Sequence, residues 1–338
     1  MSVLQLPEYI YTGMDSACKI LDLQYKNVLI AADSGVSQNT DIIKILEAKA
    51  ACCKIKVNTI ICDSCLSFFD KVQEKLMEDP PEIIIVAGNG KAIDCISAIS
   101  SITQIPFASI PMCAPTALWD SDCVDAFLNK KVPKICVLDP EMISSANSAG
   151  IAYEGLGMLT LSAESYLYAP DRYIKNLAKT AFLQIYDNLF SAFKGEISAR
   201  ENLLEAMNWA YLAYINSYEY SWESGCYRLC DFFEQFDIDA LSILAVSCVG
   251  ITETVYKDNE NELINLSKEL GTAKTNGADY CIECIRKLRA QMSVPMSVKN
   301  LGADERKFHE LCKEAGEDDA RLFSLVYYGD KKFHAIRF

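Results

Sequence analysis

Hydrophobic runs and amphipathic segments alternate along the first 140 residues of the chain. Short runs rich in β-branched residues, such as NVLIAADSG at 27–35 and EIIIVAG at 82–88, predict buried strands. The segment DIIKILEAKAACC at 41–53 instead carries apolar residues at helical spacing. Strands that alternate with helices of this length predict parallel β-α-β units with helices on both faces of one sheet. In such a sheet we expect a ligand at the carboxyl ends of the strands.

After about residue 145 the pattern changes to long helical segments. Residues 174–193, 199–216 and 239–256 are amphipathic or buried helical patterns, and no stretch predicts a strand. The predicted fold class is therefore an α/β N-terminal nucleotide-binding domain with a Rossmann-like parallel sheet, followed by an all-α C-terminal domain. We place the first domain at residues 1–145 and the helical domain at residues 146–338.

Composition narrows the class of protein and of partner. The 338 residues are 51% hydrophobic and 10% aromatic, which is typical of a well-packed globular protein of two domains. A net charge of −14 argues against nucleic acid or an anionic membrane as the main partner. No signal-peptide pattern and no long apolar span is found, and the 15 cysteines are expected to be buried thiols. We therefore expect a cytoplasmic protein.

Two CxxC pairs raise the question of a metal or redox site. They are Cys62 with Cys65, and Cys281 with Cys284, and they lie far apart in the sequence. A structural zinc site needs four ligands brought together, usually in a compact module, and no thioredoxin-like context surrounds either pair. Ordinary packing cysteines are the favoured interpretation.

The segment GNGKAID at 88–94 follows a predicted strand directly and is a candidate phosphate-binding loop. It is neither a Walker A loop nor the GxGxxG fingerprint, because Ile93 stands where the third glycine belongs. Gly88 and Gly90 would let a pyrophosphate approach the backbone amides that open the next helix, and Lys91 adds a positive charge. The alternative is a tight turn packed on a helix, and the loop alone does not decide between the two.

The order of motifs along the whole chain resembles the glycerol dehydrogenase-like branch of the iron-containing alcohol dehydrogenase superfamily. That superfamily also includes glycerol-1-phosphate dehydrogenases and dehydroquinate synthases. The specific pieces are GNGKAID at 88–94 against the family's GGGK/SxxD, KICVLDPEMI at 134–143, and VPMSVKNLG at 294–302. The resemblance implies a dehydroquinate synthase-like fold and an NAD(P)-dependent alcohol or polyol dehydrogenase.

The resemblance also implies a set of cofactor-binding positions. They are Asp33, Gly88, Asn89, Gly90, Lys91, Asp94, Pro111, Met112 and Thr116. Asp33 falls where family members place an acid against the adenosine ribose, which would favour NAD(H) over NADP. The alternative for Asp33 is a turn-forming aspartate before Ser34 and Gly35. Residues 111–116 fall on the family's loop near the nicotinamide, with Met112 in place of a threonine.

The family's metal ligands are missing at the matching positions. Dehydrogenases of the superfamily hold zinc or iron with one aspartate and two histidines, and Gly157 or Met158 falls at the aspartate position. The chain has only two histidines, His309 and His334, both in its C-terminal segment. We therefore expect neither zinc nor iron.

Acidic residues leave an oxygen-ligand site for Mg²⁺ or Mn²⁺ open. The candidates are Glu223 and Asp237, with Asp239 beside them. The alternative is that Asp237 and Asp239 cap a helix.

Three functions stay open, and no catalytic residue is assigned. The first is an NAD(P)-dependent alcohol or polyol dehydrogenase that lacks the usual metal ligands, and the second is an inactive NAD-binding sensor or partner subunit. The third is another reaction on a phosphorylated substrate. Candidate acid-base or phosphate-binding groups are Arg172, Lys175, Tyr220, Tyr227 and Arg228. Ala117 falls where glycerol dehydrogenases place a substrate aspartate. The resemblance implies a small polyol or polyol phosphate as substrate and a homodimer or larger homo-oligomer.

Overall fold

The chain forms two compact units, the first ending at Asn147 and the second beginning at Ser148. The structure, a computed structural model, describes residues 4–63, 65–112, 131–144, 146–169, 171–217, 225–254, 259–271 and 277–329. Each unit has its own core. No helix in these ranges is long and apolar enough to cross a membrane.

The first unit is built on a six-stranded sheet. Its strands are β1 Tyr9–Thr12, β2 Asn27–Asp33, β3 Lys56–Cys62, β4 Ile83–Gly88, β5 Phe107–Pro111 and β6 Ile135–Leu138. Their order across the sheet is β1-β6-β5-β4-β2-β3, and every neighbouring pair is parallel. The α/β class predicted from the alternating pattern is confirmed.

Helices cover both faces of this sheet, as the continuous apolar strands require. They are a 3-10 helix at Ser16–Asp22 and the α-helices α1 Ser34–Asn39, α2 Ile42–Cys52, α3 Cys65–Glu78, α4 Gly90–Thr103 and α5 Pro140–Ser144. Val28 and Ile30 of β2 face the core shared with the 3-10 helix and α2. Leu29 and Ala31 face the core shared with α3 and α4. Alternate residues of one strand thus fill two cores.

Within its described residues the second unit contains helices and no strand, which confirms the predicted all-α domain. Its α-helices are α6 Ser148–Tyr168, α7 Arg172–Phe193, α8 Ile197–Asn216, α9 Gly225–Glu234, α10 Ala240–Thr254, α11 Glu260–Leu270, α12 Ala278–Gln291, α13 Glu305–Cys312 and α14 Glu317–Tyr328, with a 3-10 helix at Val298–Leu301. The central helix α6 packs against α7, α8 and α10. From Gly155 to Leu167 every residue of α6 is buried.

Candidate functional site

Three neighbouring strands of the first unit, β2, β4 and β5, end side by side at the same edge of the sheet. In the β2–β4 ladder Ala32 pairs with Ala87, so Asp33 and Gly88 follow at adjacent strand ends. In the β4–β5 ladder Gly88 pairs with Pro111. The predicted positions from 33 to 111 are therefore gathered by the parallel topology at the carboxyl edge of the sheet.

The Asp33 carboxylate joins two of these strand ends. Its Oδ1 accepts the backbone N–H of Val36 at 2.8 Å, which caps α1. Its Oδ2 accepts the backbone N–H of Asn89 at 2.7 Å, across from the end of β4. Hydrogen bonds to a charged acceptor are stronger than neutral ones, so this carboxylate fixes the loop that opens α4.

Gly88 is a glycine for a packing reason. A Cβ at this position would lie 2.8 Å from Asp33 Oδ2 and 2.8 Å from the Cβ of Ala92. From the sequence, Gly88 is predicted to let a pyrophosphate approach the backbone. The structure adds a second reason for a glycine, since the tight packing of the loop on the helix leaves no room for a side chain there.

The start of α4 has backbone donors that the helix itself does not use. Asn89 is the N-cap, its side chain accepting the N–H of Ala92 at 3.1 Å, and its carbonyl accepts the N–H of Ile93 at 3.2 Å. The amides of Gly90 and Lys91 precede this ladder, at the positive end of the helix dipole. The Lys91 side chain is exposed beside them. This set of donors fits an anionic group such as a phosphate.

The remaining predicted cofactor positions are placed as follows. Asp94 is 2% exposed within α4. Pro111 is buried at the end of β5, and the N–H of Met112 donates to the Gly88 carbonyl at 3.0 Å. The half-buried Met112 side chain packs against the core on one face of the sheet. Thr116 lies outside the described residues, as does Ala117.

In the second unit, Gly157 occupies a close contact between two helices. A Cβ at Gly157 would lie 2.8 Å from Cδ2, 2.9 Å from the backbone oxygen and 3.0 Å from Cβ of Leu241 in α10. Met158, the other position aligned with the family's aspartate, is fully buried. Neither residue supplies a carboxylate, so these positions do not fit the family's zinc or iron.

The candidate oxygen ligands have structural roles or lie outside the described part of the chain. Asp237 is exposed, with a left-handed backbone at φ 57° after α9. Asp239 Oδ1 accepts the N–H of Ser242 at 2.9 Å, the cap that the alternative interpretation predicts. Glu223 is outside the described residues. Within the ranges that the structure describes, no three His, Cys, Asp or Glu side chains form a possible metal site.

One of the two histidines lies within the described residues. His309 belongs to α13 in the second unit, is exposed, and its Nε2 lies 3.0 Å from the Tyr328 hydroxyl. His334 falls outside the described residues.

The cysteines of the second CxxC pair are buried thiols. Cys281 and Cys284 are both free and both buried in α12. Burial raises the pKa of Cys281 to about 12, which keeps the thiol protonated near neutral pH. In the first pair Cys62 is also buried, and burial raises its pKa. A nucleophilic or metal-binding thiolate is disfavoured at both places.

Two of the cationic candidates for a phosphorylated substrate are paired with carboxylates. Lys175 Nζ lies 3.7 Å from Glu262 Oε1, and Arg228 forms an ion pair with Asp319. Arg172 is exposed at the start of α7. Neither ion pair involves a second one of these three cations.

Tyr227 of α9 is one of the candidate acid-base groups. Burial raises the pKa of the Tyr227 phenol, and the charges of Asp231 and Glu234 raise it further. Near neutral pH this phenol can donate a proton but not accept one. Tyr220 lies outside the described residues.

Sequence reasoning missed two features of these sites. The Asn89 backbone amide was named only as part of a loop, while its acceptor is the Asp33 carboxylate. The second is Leu241, whose backbone oxygen and side chain pack against Gly157. A signal for the second was present, because Gly155 and Gly157 inside a buried helical pattern indicate close helix packing.

The chain matches known proteins over nearly its whole length at low identity, although no protein-family model matches it. It is 21% identical to an NADPH-dependent butanol dehydrogenase of Clostridium saccharobutylicum, over 96% of the chain and 97% of that protein. An iron-containing alcohol dehydrogenase of Thermococcus thioreducens superposes with a TM-score of 0.79 at 15% identity, covering 98% of this chain and all of that one. These matches establish the fold.

A further solved structure carries a bound dinucleotide. It is the sulfoacetaldehyde reductase of Bifidobacterium kashiwanohense in complex with NAD+, with a TM-score of 0.78, 16% identity, and coverage of 98% of this chain and 99% of that one. The names of these three proteins refer to butanol, alcohol and sulfoacetaldehyde, and none refers to glycerol. Membership of the glycerol dehydrogenase-like branch therefore stays a prediction.

Proposed function

We propose that this chain, which has the fold of the iron-containing alcohol dehydrogenases, is an NAD(H)-dependent alcohol or aldehyde oxidoreductase. The observation that carries the proposal is the donor set at the start of α4. The amides of Gly90 and Lys91 precede the helical hydrogen-bond ladder at the carboxyl edge of a parallel sheet, where the Asp33 carboxylate holds the loop.

In the proposed complex the residues of this edge bind different parts of the dinucleotide. The α4 amides and the Lys91 ammonium would hold the pyrophosphate, and Pro111 and Met112 would lie toward the nicotinamide. The nicotinamide, when bound, supplies the hydride acceptor or donor of the reaction. The residues of the chain bind and orient it and exclude water from the sheet edge.

The Asp33 carboxylate favours NAD(H) over NADP(H). Each of its oxygens already accepts one backbone N–H and keeps a further lone pair for a ribose hydroxyl. A 2′-phosphate would bring negative charge beside the carboxylate. The Clostridium relative is NADPH-dependent by name, whereas the Bifidobacterium structure holds NAD+, so both cofactors must be tested.

The charges of the second unit favour a neutral substrate over a phosphorylated one. Lys175 and Arg228, two of the three cations considered for a substrate phosphate, are each bound to a carboxylate. A small alcohol or aldehyde needs no such charge. Polyols stay within this class, and a polyol phosphate is the less supported alternative.

Thermal unfolding with added dinucleotide tests the proposal. A ligand at 100 times its dissociation constant stabilises the folded state by about 2.7 kcal/mol. We expect NAD+ and NADH to raise the melting temperature and NADP+ to raise it less, and we expect NADH oxidation with short-chain aldehydes. If millimolar NAD+, NADH, NADP+ and NADPH all leave the melting temperature unchanged, the cofactor assignment is wrong.

A second candidate function is dinucleotide binding without turnover, as a sensor or partner subunit. The contact between Gly157 and Leu241 favours it, because the usual group that polarises the substrate oxygen has no ligand there. Stabilisation by NADH with no oxidation of NADH over a broad panel of aldehydes and ketones would select this candidate over the first.

A further inference from the structure

One face of α6 is packed against α10 at two successive levels. At Gly157, the Leu241 backbone oxygen and side chain lie within 3.0 Å of where a Cβ would stand. One turn later the Thr160 hydroxyl donates to the Leu156 carbonyl at 2.8 Å and lies 3.4 Å from the Leu244 carbonyl oxygen. Because the two steps have the same length in both helices, α6 and α10 run side by side along this face.

The same face of α6 continues to a third contact. Glu164, four residues beyond Thr160 and 1% exposed, accepts the N–H of Cys226 at 3.2 Å in the first turn of α9. A buried carboxylate at the positive end of a helix is stabilised there. From Gly157 to Glu164 the face of α6 is therefore occupied by neighbouring helices.

We infer that this face is a fixed helix–helix contact that leaves no room for a zinc or iron ligand at position 157, so that the chain binds its dinucleotide without either metal. An aspartate at position 157 would need its Cβ where Leu241 already stands, and a backbone oxygen moves aside less easily than the tip of a side chain. The helix contact is independent of the proposed function, and only the binding of a dinucleotide rests on that function.

Metal content and melting temperature test the inference on the full-length chain. The protein is incubated with Zn²⁺ or with Fe²⁺ under argon, desalted, and its metal measured by mass spectrometry. We expect far less than one equivalent, and the same NADH-induced rise in melting temperature with and without EDTA. One equivalent of metal, removed by EDTA with a fall in melting temperature, would overturn the inference.

A pair of glycine variants in α6 tests the contact itself. Gly157→Ala pushes on the backbone of Leu241, whereas Gly155→Ala pushes on the side chain of Leu189. Each substitution gains helix propensity equally. We expect Gly157→Ala to lower the melting temperature by about 5 °C and by more than Gly155→Ala does. A Gly157→Ala protein as stable as the wild type would show that the contact is open.

Gly157→Asp completes the set. We expect it to lower the melting temperature further than Gly157→Ala and to bind no metal. Stoichiometric Zn²⁺ binding by Gly157→Asp that restores wild-type stability would contradict the inference. If this variant fails to fold, the wild-type metal measurement still decides. Absence of any NADH-induced shift would refute the proposed function and leave the metal result standing.

Discussion

Asp33 Oδ2 accepts the backbone N–H of Asn89 at 2.7 Å, and this bond joins the end of β2 to the loop that opens α4. The other oxygen of Asp33 accepts the N–H of Val36 and so fixes α1. One carboxylate thus holds both loops that border the proposed pyrophosphate position. A residue predicted to contact the ribose is at the same time the residue that positions the phosphate-binding amides.

The variant Asp33→Asn tests this double role. The neutral side chain has one carbonyl oxygen, so one of the two N–H donors loses its acceptor and faces an NH₂ group. Hydrogen bonds to charged groups contribute about 1.5–3 kcal/mol, and we expect a loss of stability in that range. Because about 1.4 kcal/mol corresponds to a tenfold change in affinity, we also expect NAD+ affinity to fall about tenfold or more in calorimetric titration.

The two roles of Asp33 predict different effects of the Asp33→Asn substitution on NADP+ affinity. If Asp33 acted only by repelling a 2′-phosphate, Asp33→Asn would bind NADP+ more tightly while stability stayed constant. Loss of affinity for both dinucleotides, with a lower melting temperature, supports the positioning role. Asp41→Asn is the matched control, because the Asp41 side chain makes no cap hydrogen bond and is exposed.

Substitution of Gly88 by alanine tests the packing beneath the loop. The added Cβ would meet Asp33 Oδ2 and Ala92 Cβ, each at 2.8 Å, so the loop must move away from one of them. Overpacking of this kind costs about 1–3 kcal/mol, measured by urea unfolding. Gly316→Ala is the control, since nothing lies within 4 Å of its added Cβ and its φ of −63° suits alanine. Equal stability of the two variants would contradict the packing reason for Gly88.

The sheet could be predicted from the sequence, because each strand carries its own signal. Residues 83–86 are β-branched and continuous, and only a strand buried on both faces requires such a run. The parallel topology then brings Asp33, Gly88 and Pro111 together without further information. The features that follow from the local sequence pattern and the strand order could therefore be predicted from the sequence.

Contacts between segments that are distant in the sequence could not be predicted in the same way. The Asp33–Asn89 hydrogen bond joins residues 56 positions apart, and neither residue type indicates which residue it will contact. The Gly157–Leu241 contact depends on how closely α6 and α10 approach, which helical periodicity does not specify. The absence of histidine before residue 309 predicts only that the ligands implied by the resemblance are missing. The close packing of α10 on Gly157 is a separate feature of the structure.

Lys91 gives a prediction in which stability and affinity change in opposite directions. A cation in the first turn of α4 is unfavourable toward the helix dipole, and a bound phosphate reverses that effect. We expect Lys91→Gln to leave the free protein as stable as the wild type or slightly more stable, while NADH binding weakens several-fold. The loss should be smaller at high salt, because the interaction is exposed and screened.

The control for Lys91 is Lys44→Gln, which removes an exposed lysine paired with Asp41 in the same unit. Unchanged NADH affinity in the control and reduced affinity in Lys91→Gln would support the proposed pyrophosphate position. If both variants bind NADH as the wild type does, the ammonium of Lys91 takes no part in binding.

The thiols should differ sharply in reactivity. Cys52 and Cys53 are exposed at the end of α2, whereas Cys281 and Cys284 are buried in α12. We expect iodoacetamide to label the first two within minutes near neutral pH and the second two only after denaturation, as measured by peptide mass spectrometry. Rapid labelling of Cys281 in the native protein would reopen a redox role for the second CxxC pair.

Buried thiols also predict a loss of stability in alkali. Burial raises the pKa of Cys136 to about 12 and that of Cys281 to about 12, from an ordinary value of 9.0. The folded state therefore holds protons that the unfolded state loses between about pH 9 and pH 12. The stabilisation is complete below about pH 9 and is lost as pH rises through this window, by up to about 1.4 kcal/mol per pH unit for each thiol.

Urea unfolding at several pH values, under reducing conditions, measures this slope. Cys136→Val removes one buried thiol from β6 and should make the decline shallower, while Cys52→Ser removes an exposed thiol and should leave it unchanged. Tyr327, whose pKa burial raises to about 12, adds to the decline in both variants. A free energy of unfolding that stays constant from about pH 8 to pH 10 would mean that these thiols are accessible to water, in conflict with the packing of both units.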